Sequence, residues 1–233
     1  MHVIFECAAR WELCNERRNP IEMVRVKDST KRRKRPMILT NDSFDAVLAD
    51  LPEPFRTMVV VAQCLGLRVS EITALQWGDL DTERRQLLVQ RSIVNGRVDD
   101  VKTEYSHDHV PIHESLLEVL LGWSEQCPET EEGWMFPNPL SSKPYYATEI
   151  QKRYLKTAGI KLGLGPIGWH TFRHTYRSWL DETGAPMKVQ QELMRHASIQ
   201  TTMNVYGQAM PESKREANGK VVTMVLKPLK ASA

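Results

Sequence analysis

The residue types with the most chemistry to offer lie late in the chain. Trp169-His170-Thr171-Phe172-Arg173-His174-Thr175-Tyr176-Arg177-Ser178-Trp179-Leu180 sets two histidines and two arginines within a single stretch of helical pattern. At helical periodicity Phe172, Tyr176, Trp179 and Leu180 fall on one side, and His170, Arg173, His174 and Arg177 on the other. An apolar stripe opposite a cationic one is the ordinary pattern of a surface helix whose arginines and histidines face solvent. A zinc site is the alternative, since His170 and His174 stand at i and i+4. Thr171, however, occupies the place where a zinc-hydrolase helix carries Glu, and a third ligand would have to come from His107 or His109. Further on, Ser198 can cap a helix of about two turns that ends at Gly207 and carries Tyr206 on its last turn. Taken singly, a tyrosine at a helix end is a packing residue, and a lone histidine such as His196 is a satisfied one.

These side chains need elements to hold them. Residues 2–14 place Val3, Ile4, Cys7, Ala8, Trp11 and Cys14 on one helical face, and Asn19-Pro20 ends that helix. An extended stretch follows and closes on the basic block Lys31-Arg32-Arg33-Lys34-Arg35, ahead of Pro36. Thr40 or Asn41 can cap a helix through Leu48, and Pro54 opens a second with Phe55, Met58, Val59, Ala62 and Leu65, stopped by Gly66. Ser70 is positioned to cap a short helix over 71–77, with a turn at Gly78-Asp79. Residues 87–94, the hairpin dipeptide Asn95-Gly96, 97–102 and 107–112 read as one small antiparallel sheet. Helices are expected near 114–124, 146–158, 170–182 and 187–194. The fold expected is mainly α with a small antiparallel β-sheet, an α+β arrangement.

Placed in chain order, the candidates form a set. Gly66-Leu67-Arg68-Val69-Ser70-Glu71 closing one helix, Lys102 beside a hairpin, His170-x-x-Arg173, His196 and Tyr206 follow the order and approximate spacing of a known family. Over roughly residues 36–210 the chain resembles the catalytic domain of the tyrosine recombinase, or phage integrase, family. Each box alone is weak, whereas six in order on the expected elements are specific. One departure is Arg195, where the family usually has Gly before this His, a change that bears on local DNA contacts more than on the chemistry.

The resemblance implies a site-specific recombinase or integrase of a phage or mobile element. It would act on double-stranded DNA as a homotetramer, through a 3′-phosphotyrosyl intermediate, with no metal and no other cofactor. Tyr206 would be the nucleophile, His170 would take its proton, and Lys102 would protonate the departing 5′-oxygen. Arg68 and Arg173 would clamp the phosphate, His196 would hydrogen-bond a non-bridging oxygen, and Glu71 would orient Arg68. It further implies that residues 1–19 are a remnant of the last helix of a core-binding domain and 20–36 a basic interdomain linker. Residues 37–210 would then be the catalytic domain, and 211–233 a C-terminal tail able to dock on a neighbouring protomer.

The residue types suit that chemistry on physical grounds. A phosphodiester under attack gains negative charge on its non-bridging oxygens, and arginine offers a permanent charge and a planar fork matched to two of them. A phenol is only about one part in a thousand ionised at neutral pH, so its proton needs an acceptor or a positive field. Three rivals remain at this point: a type IB topoisomerase with the same chemistry on one strand, a DNA-binding module with inactive chemistry, and the zinc hydrolase.

Bulk properties restrict the choice less than the motifs do. The net charge of +2 is too small to announce a nucleic-acid binder, so basic residues matter by placement. The four cysteines, Cys7, Cys14, Cys64 and Cys127, show no metal or disulfide spacing, which fits a reducing cytoplasm. The apolar run from Met58 to Leu67 is too short to span a bilayer, so no membrane partner is expected. For the block Lys31, Arg32, Arg33, Lys34 and Arg35 the plain reading is a solvated charge run, and the functional one is a strap against DNA phosphates. Neutralising all five is expected to weaken duplex binding about equally across sequences and to flatten the slope of log K against log salt in a titration. An unchanged slope would restore the solvated run.

Overall fold

The computed structural model describes residues 2–14, 19, 36–100 and 108–196. The chain divides into two compact units, Met1–Arg35 and Pro36–Ala233. In the first, residues 2–14 supply helix α1 (His2–Arg10). The second contains α2 (Asn41–Asp50), α3 (Phe55–Leu65) and α4 (Val69–Ile72), then β1 (Leu80–Asp81), β2 (Gln86–Val89), β3 (Arg91–Val94), β4 (Arg97–Asp100) and β5 (Asp108–Pro111). It continues with α5 (Glu114–Ser124), α6 (Ala147–Ile150), α7 (Lys156–Lys161), α8 (Trp169–Glu182) and α9 (Met187–Leu193), a π-helical turn joining α6 to α7. Among the described residues no helix is long and apolar enough to cross a membrane.

Helix α3 is the hub. Phe55, Met58, Val59, Val61, Ala62 and Leu65 are all buried, so it is apolar on nearly every face and must be enclosed. Helices α2, α5 and α8 pack against it. Phe44 of α2 meets Phe172 and Trp179 of α8 edge-on, with ring centroids 6.3 and 5.8 Å apart. The local signals at its neighbours act as read: the Thr40 hydroxyl accepts the Ser43 N–H at 3.2 Å to start α2, and Gly66, at φ +60°, closes α3.

Three boundaries differ from the sequence reading, two of them because of a carboxylate. Helix α4 starts at Val69 with Arg68 as its cap, since Glu71 Oε2 accepts the Arg68 N–H at 2.6 Å; Ser70 plays no such part. It also ends early, because Leu75 and Trp77 turn aside to bond the backbone of Met135 and Gly133 at 2.9 and 2.8 Å. The strand expected over 87–94 breaks at Gln90. Buried Asp79 accepts Gln90 Nε2 at 2.9 Å and pairs with the Arg91 guanidinium, drawing both side chains off the sheet. The result is a three-stranded antiparallel sheet, β1-β2-β5, and a separate β3-β4 hairpin. Asn95 and Gly96, at φ +52° and +75°, turn that hairpin as the dipeptide predicts. It packs beside α4, and its second strand ends at Asp100, two residues before Lys102.

Gly66 is required twice over. Its φ is left-handed, and a Cβ there would lie 2.3 Å from Tyr176 Cδ1. Gly66→Ala is therefore expected to cost about 2–4 kcal/mol, backbone strain and overpacking acting together, as read from the urea midpoint.

Candidate active site

Four parts of the chain meet at one place: the end of α3, the start of α4, the middle of α8 and the turn after α9. Arg173 is the connector. Its side chain runs inward, the residue only 6% exposed, and donates through Nη1 to the Gly66 carbonyl and through Nη2 to the Met194 carbonyl. Those carbonyls belong to the residues that end α3 and α9, where helices leave acceptors unpaired and carry partial negative charge. Arg68, two residues beyond Gly66, keeps a more open side chain, 44% exposed, and donates Nη1 to Glu71 Oε1 at 3.0 Å.

The turn after α9 delivers His196. Gln191 brackets it, its carbonyl accepting the His196 N–H at 3.1 Å while its Nε2 donates to the His196 carbonyl at 3.0 Å. The residue before it, Arg195, sits at φ +49° and turns inward, with Nη2 2.5 Å from Glu71 Oε2 and a side chain 2% exposed. Glu71 therefore faces Arg68 on one oxygen and Arg195 on the other.

Of the sequence candidates, Arg68, Glu71, Arg173 and His196 are brought together. His170 lies on the first turn of α8, nearly one turn before Arg173, exposed, its ring 6.2 Å from that of His174. Lys102, Tyr206 and the block Lys31, Arg32, Arg33, Lys34 and Arg35 lie outside the described residues. The solvent-facing reading of the cationic side of α8 is corrected: both Arg173 and Arg177 are buried. Arg177, 2% exposed, pairs with Asp181, which in turn accepts Gln190 Nε2 at 2.8 Å. Arg195 too departs from the expectation of a DNA-facing change, since its side chain enters the site. Among the described residues no three His, Cys, Asp or Glu side chains converge as metal ligands; His107, one of the third ligands the zinc alternative called on, lies outside them.

The charges fix the protonation states. Burial and the surrounding Arg173, Arg68, Arg177 and Arg195 lower the His196 pKa to about 4, so its imidazole is neutral at physiological pH and able to donate one hydrogen bond. Burial, followed by the charge of Arg68, brings Arg173 down to about 9, which still leaves it cationic at neutral pH. Tyr176, half-buried against Gly66, is pushed up to about 12, desolvation being the largest cause, and stays protonated at neutral pH. Burial would raise the Glu71 carboxyl, but the adjacent Arg195 charge, joined by the Arg68 N–H and guanidinium, holds it below its usual value.

That last shift has a sign that can be checked. Because the folded pKa of Glu71 lies below the unfolded one, its stabilisation is complete above the unfolded value and is lost as pH falls through the folded one. Glu71→Gln leaves Arg195 without its anion and Arg68 and Arg173 with less compensation. It is expected to cost roughly 3–5 kcal/mol at neutral pH, with the gap to the wild-type chain closing as denaturation is repeated below the ordinary carboxylate range. A gap independent of pH would remove the ion pair as its cause.

Known proteins share this sequence pattern and this fold. The model of the phage integrase family matches residues 38–212. The ICEBs1 integrase of Bacillus subtilis is 30% identical over 231 residues, covering 94% of this chain and 62% of the relative. A "Tyrosine recombinase XerC-like" protein of Caldanaerobacter subterraneus subsp. tengcongensis is 30% identical over 187 residues, covering 70% of this chain and 47% of the relative. The chain thus spans about half to three fifths of the length of these relatives. Among solved structures, the Tn1549 transposon integrase in complex with a circular intermediate DNA superposes with a TM-score of 0.75 at 21% identity, covering 94% of this chain and 76% of that one. The XerA recombinase gives 0.62 at 20% identity, over 85% and 69%; both establish the fold. With a helical domain bearing a small antiparallel sheet and a family match over three quarters of its length, the chain belongs to the phage integrase family.

Proposed function

We propose that this chain is the catalytic part of a site-specific DNA recombinase or integrase, a DNA strand-transferase that breaks and rejoins strands through a 3′-phosphotyrosyl intermediate. The observation that carries the reading is the convergence of Arg68, Arg173 and a neutral His196 from three separated parts of the chain. Two permanent cations and one neutral donor at a single point match a phosphate whose non-bridging oxygens gain charge in the transition state. The likeness to integrases and tyrosine recombinases supports the same substrate, double-stranded DNA.

In this reading the Tyr206 hydroxyl attacks phosphorus, its proton passing to His170. The bond from phosphorus to the 5′-oxygen breaks, and Lys102 supplies the proton that the leaving oxygen needs. Arg68 and Arg173 bind the non-bridging oxygens throughout, and His196 donates to one of them. Glu71 acts on Arg68, holding its guanidinium and its backbone N–H at once. Phosphorus keeps its ester to the 3′-oxygen and exchanges the 5′-oxygen for that of tyrosine, so one phosphodiester replaces another and attack by another 5′-hydroxyl reverses the step without an external energy source. The scheme calls on no metal and no other cofactor.

The proposed organisation follows. Residues 1–19 end a core-binding domain, 20–36 form the basic linker that straps DNA, and 37–210 are catalytic. Residues 211–233 dock on the next protomer of a homotetramer. An apolar groove of about 600 Å³ lined by Phe44, Val60, Leu116, Val119, Trp179 and Leu180 has the chemistry to receive Val221, Val222, Val225 and Leu226 of a second copy. The reaction takes place in the cytoplasm, where the element's DNA is.

The test needs no knowledge of the target. A duplex library with randomised flanks around one 5′-bridging phosphorothiolate traps cleavage, because the released thiol religates poorly. The wild-type chain is expected to form a covalent adduct that withstands denaturant, and Tyr206→Phe to form none while folding and binding DNA normally. Lys102→Ala is expected to be slow on ordinary DNA selected from that library and much less impaired on the phosphorothiolate, whose leaving sulfur needs no proton. Adduct persisting in Tyr206→Phe would end the nucleophile assignment.

A further inference from the structure

Residue 195 is an arginine at a position where glycine would be easiest. Its φ of +49° is left-handed, and a long side chain there is strained. The same side chain is 2% exposed, so a charged group has also been removed from water. Both costs are met by a placement that brings Nη2 within 2.5 Å of Glu71 Oε2. We propose that Arg195 is a positioning residue for strand cleavage: by pairing with Glu71 it locks the turn that carries His196 onto the helix start that carries Arg68.

The connection is short and continuous. Arg195 is covalently next to His196, and its own N–H is fixed by the Glu192 carbonyl at 2.8 Å. Across the ion pair, Glu71 holds Arg68 by Nη1 at 3.0 Å and by the backbone N–H at 2.6 Å. Glu71 is 4% exposed, so neither of its partners is readily replaced by water. Arg173 ties the same turn from the other side through the Met194 carbonyl. A second consequence is electrostatic: with Arg68 alone as partner, Glu71 would cancel the clamp it orients. Shared with Arg195, it leaves Arg68 and Arg173 a net positive field for an arriving phosphate.

The contact is made by charge more than by the guanidinium fork. Among the described residues, Nε, Nη1 and Nη2 of Arg195 have no hydrogen-bond acceptor in line, so Nη2 meets the carboxylate off its N–H axis. A lysine, which keeps the charge and most of the reach, should therefore replace it in part. This separates positioning by charge from the mere filling of space.

The inference rests on the recombinase reading, and the same phosphorothiolate library tests it in the full chain. Arg195→Gly accepts the backbone angle and should fold and bind duplex DNA as the wild-type chain does. Its rate of adduct formation at saturating DNA should fall by at least about 10-fold, with Arg195→Lys recovering most of the loss. In a Glu71→Gln background Arg195→Gly should add little, because the pair acts as a unit. An unchanged saturated rate overturns the proposal, as does weaker binding with a normal rate, which would make Arg195 a DNA contact, or a fully additive loss in the double variant. Should Arg195→Gly fail to fold, Arg195→Gln against Arg195→Lys makes the same comparison at constant length. Absence of adduct from the wild-type chain would bring down the recombinase reading and this inference together, whereas adduct from the wild-type chain with indifferent variants brings down this inference alone.

Discussion

Arg173 leaves α8 into the interior of the protein, and its guanidinium is met there by the carbonyls of Gly66 and Met194. A cation without such partners would be too costly to bury, and a helix end without a donor would leave acceptors unpaired. Each problem solves the other. Two helices, α3 and α9, bring their carboxyl ends to one guanidinium, and that shared contact decides where Arg68 emerges and where His196 is delivered. Gly66 belongs to the same arrangement. It must be left-handed to end α3 and bare to let Tyr176 lie against it.

Once this frame is set, like charges gather at a density that the folded chain tolerates only in part. Burial, together with the charges of Arg173, Arg68, Arg177 and Arg195, keeps the His196 imidazole neutral. Asp181 answers Arg177, and Glu71 answers Arg68 and Arg195. The remaining positive field suits an anion with several oxygens, and the donors are fixed before it arrives. Preorganisation of this kind places the reorganisation cost in folding and not in the reaction.

Much of this was legible in local pattern. Thr40, Pro54, Gly66, Asn95-Gly96 and the apolar spacing of residues 170–182 each act within a turn or two of chain, and the structure places α2, α3, the β3-β4 hairpin and α8 where they point. What failed to show were the boundaries set by carboxylate side chains, Asp79 eleven residues from Gln90 and Glu71 three from Arg68. Asp79 splits the strand expected over 87–94, and Glu71 moves the start of α4 to Arg68. Helical periodicity likewise marked Arg173 and Arg177 as one face without revealing that this face is enclosed. Burial depends on what packs against a helix, and α3 and α9 come from elsewhere in the chain.

The sequence by itself determined the inventory and the order: which guanidinium, imidazole and carboxylate side chains are present, and which local elements carry them. Their types and spacing sufficed because each box is a short-range pattern. Only the tertiary structure decided that Arg173 would be held by two carbonyls, that Arg68 would stay open to solvent and that Glu71 would be shared. It also decided that Arg195 would turn into the site and not out toward a duplex. The physical reason is that partners for buried charges are chosen by distance in space, and the chain separations involved, from Glu71 to Arg195 and from Gly66 to Arg173, leave no trace in periodicity.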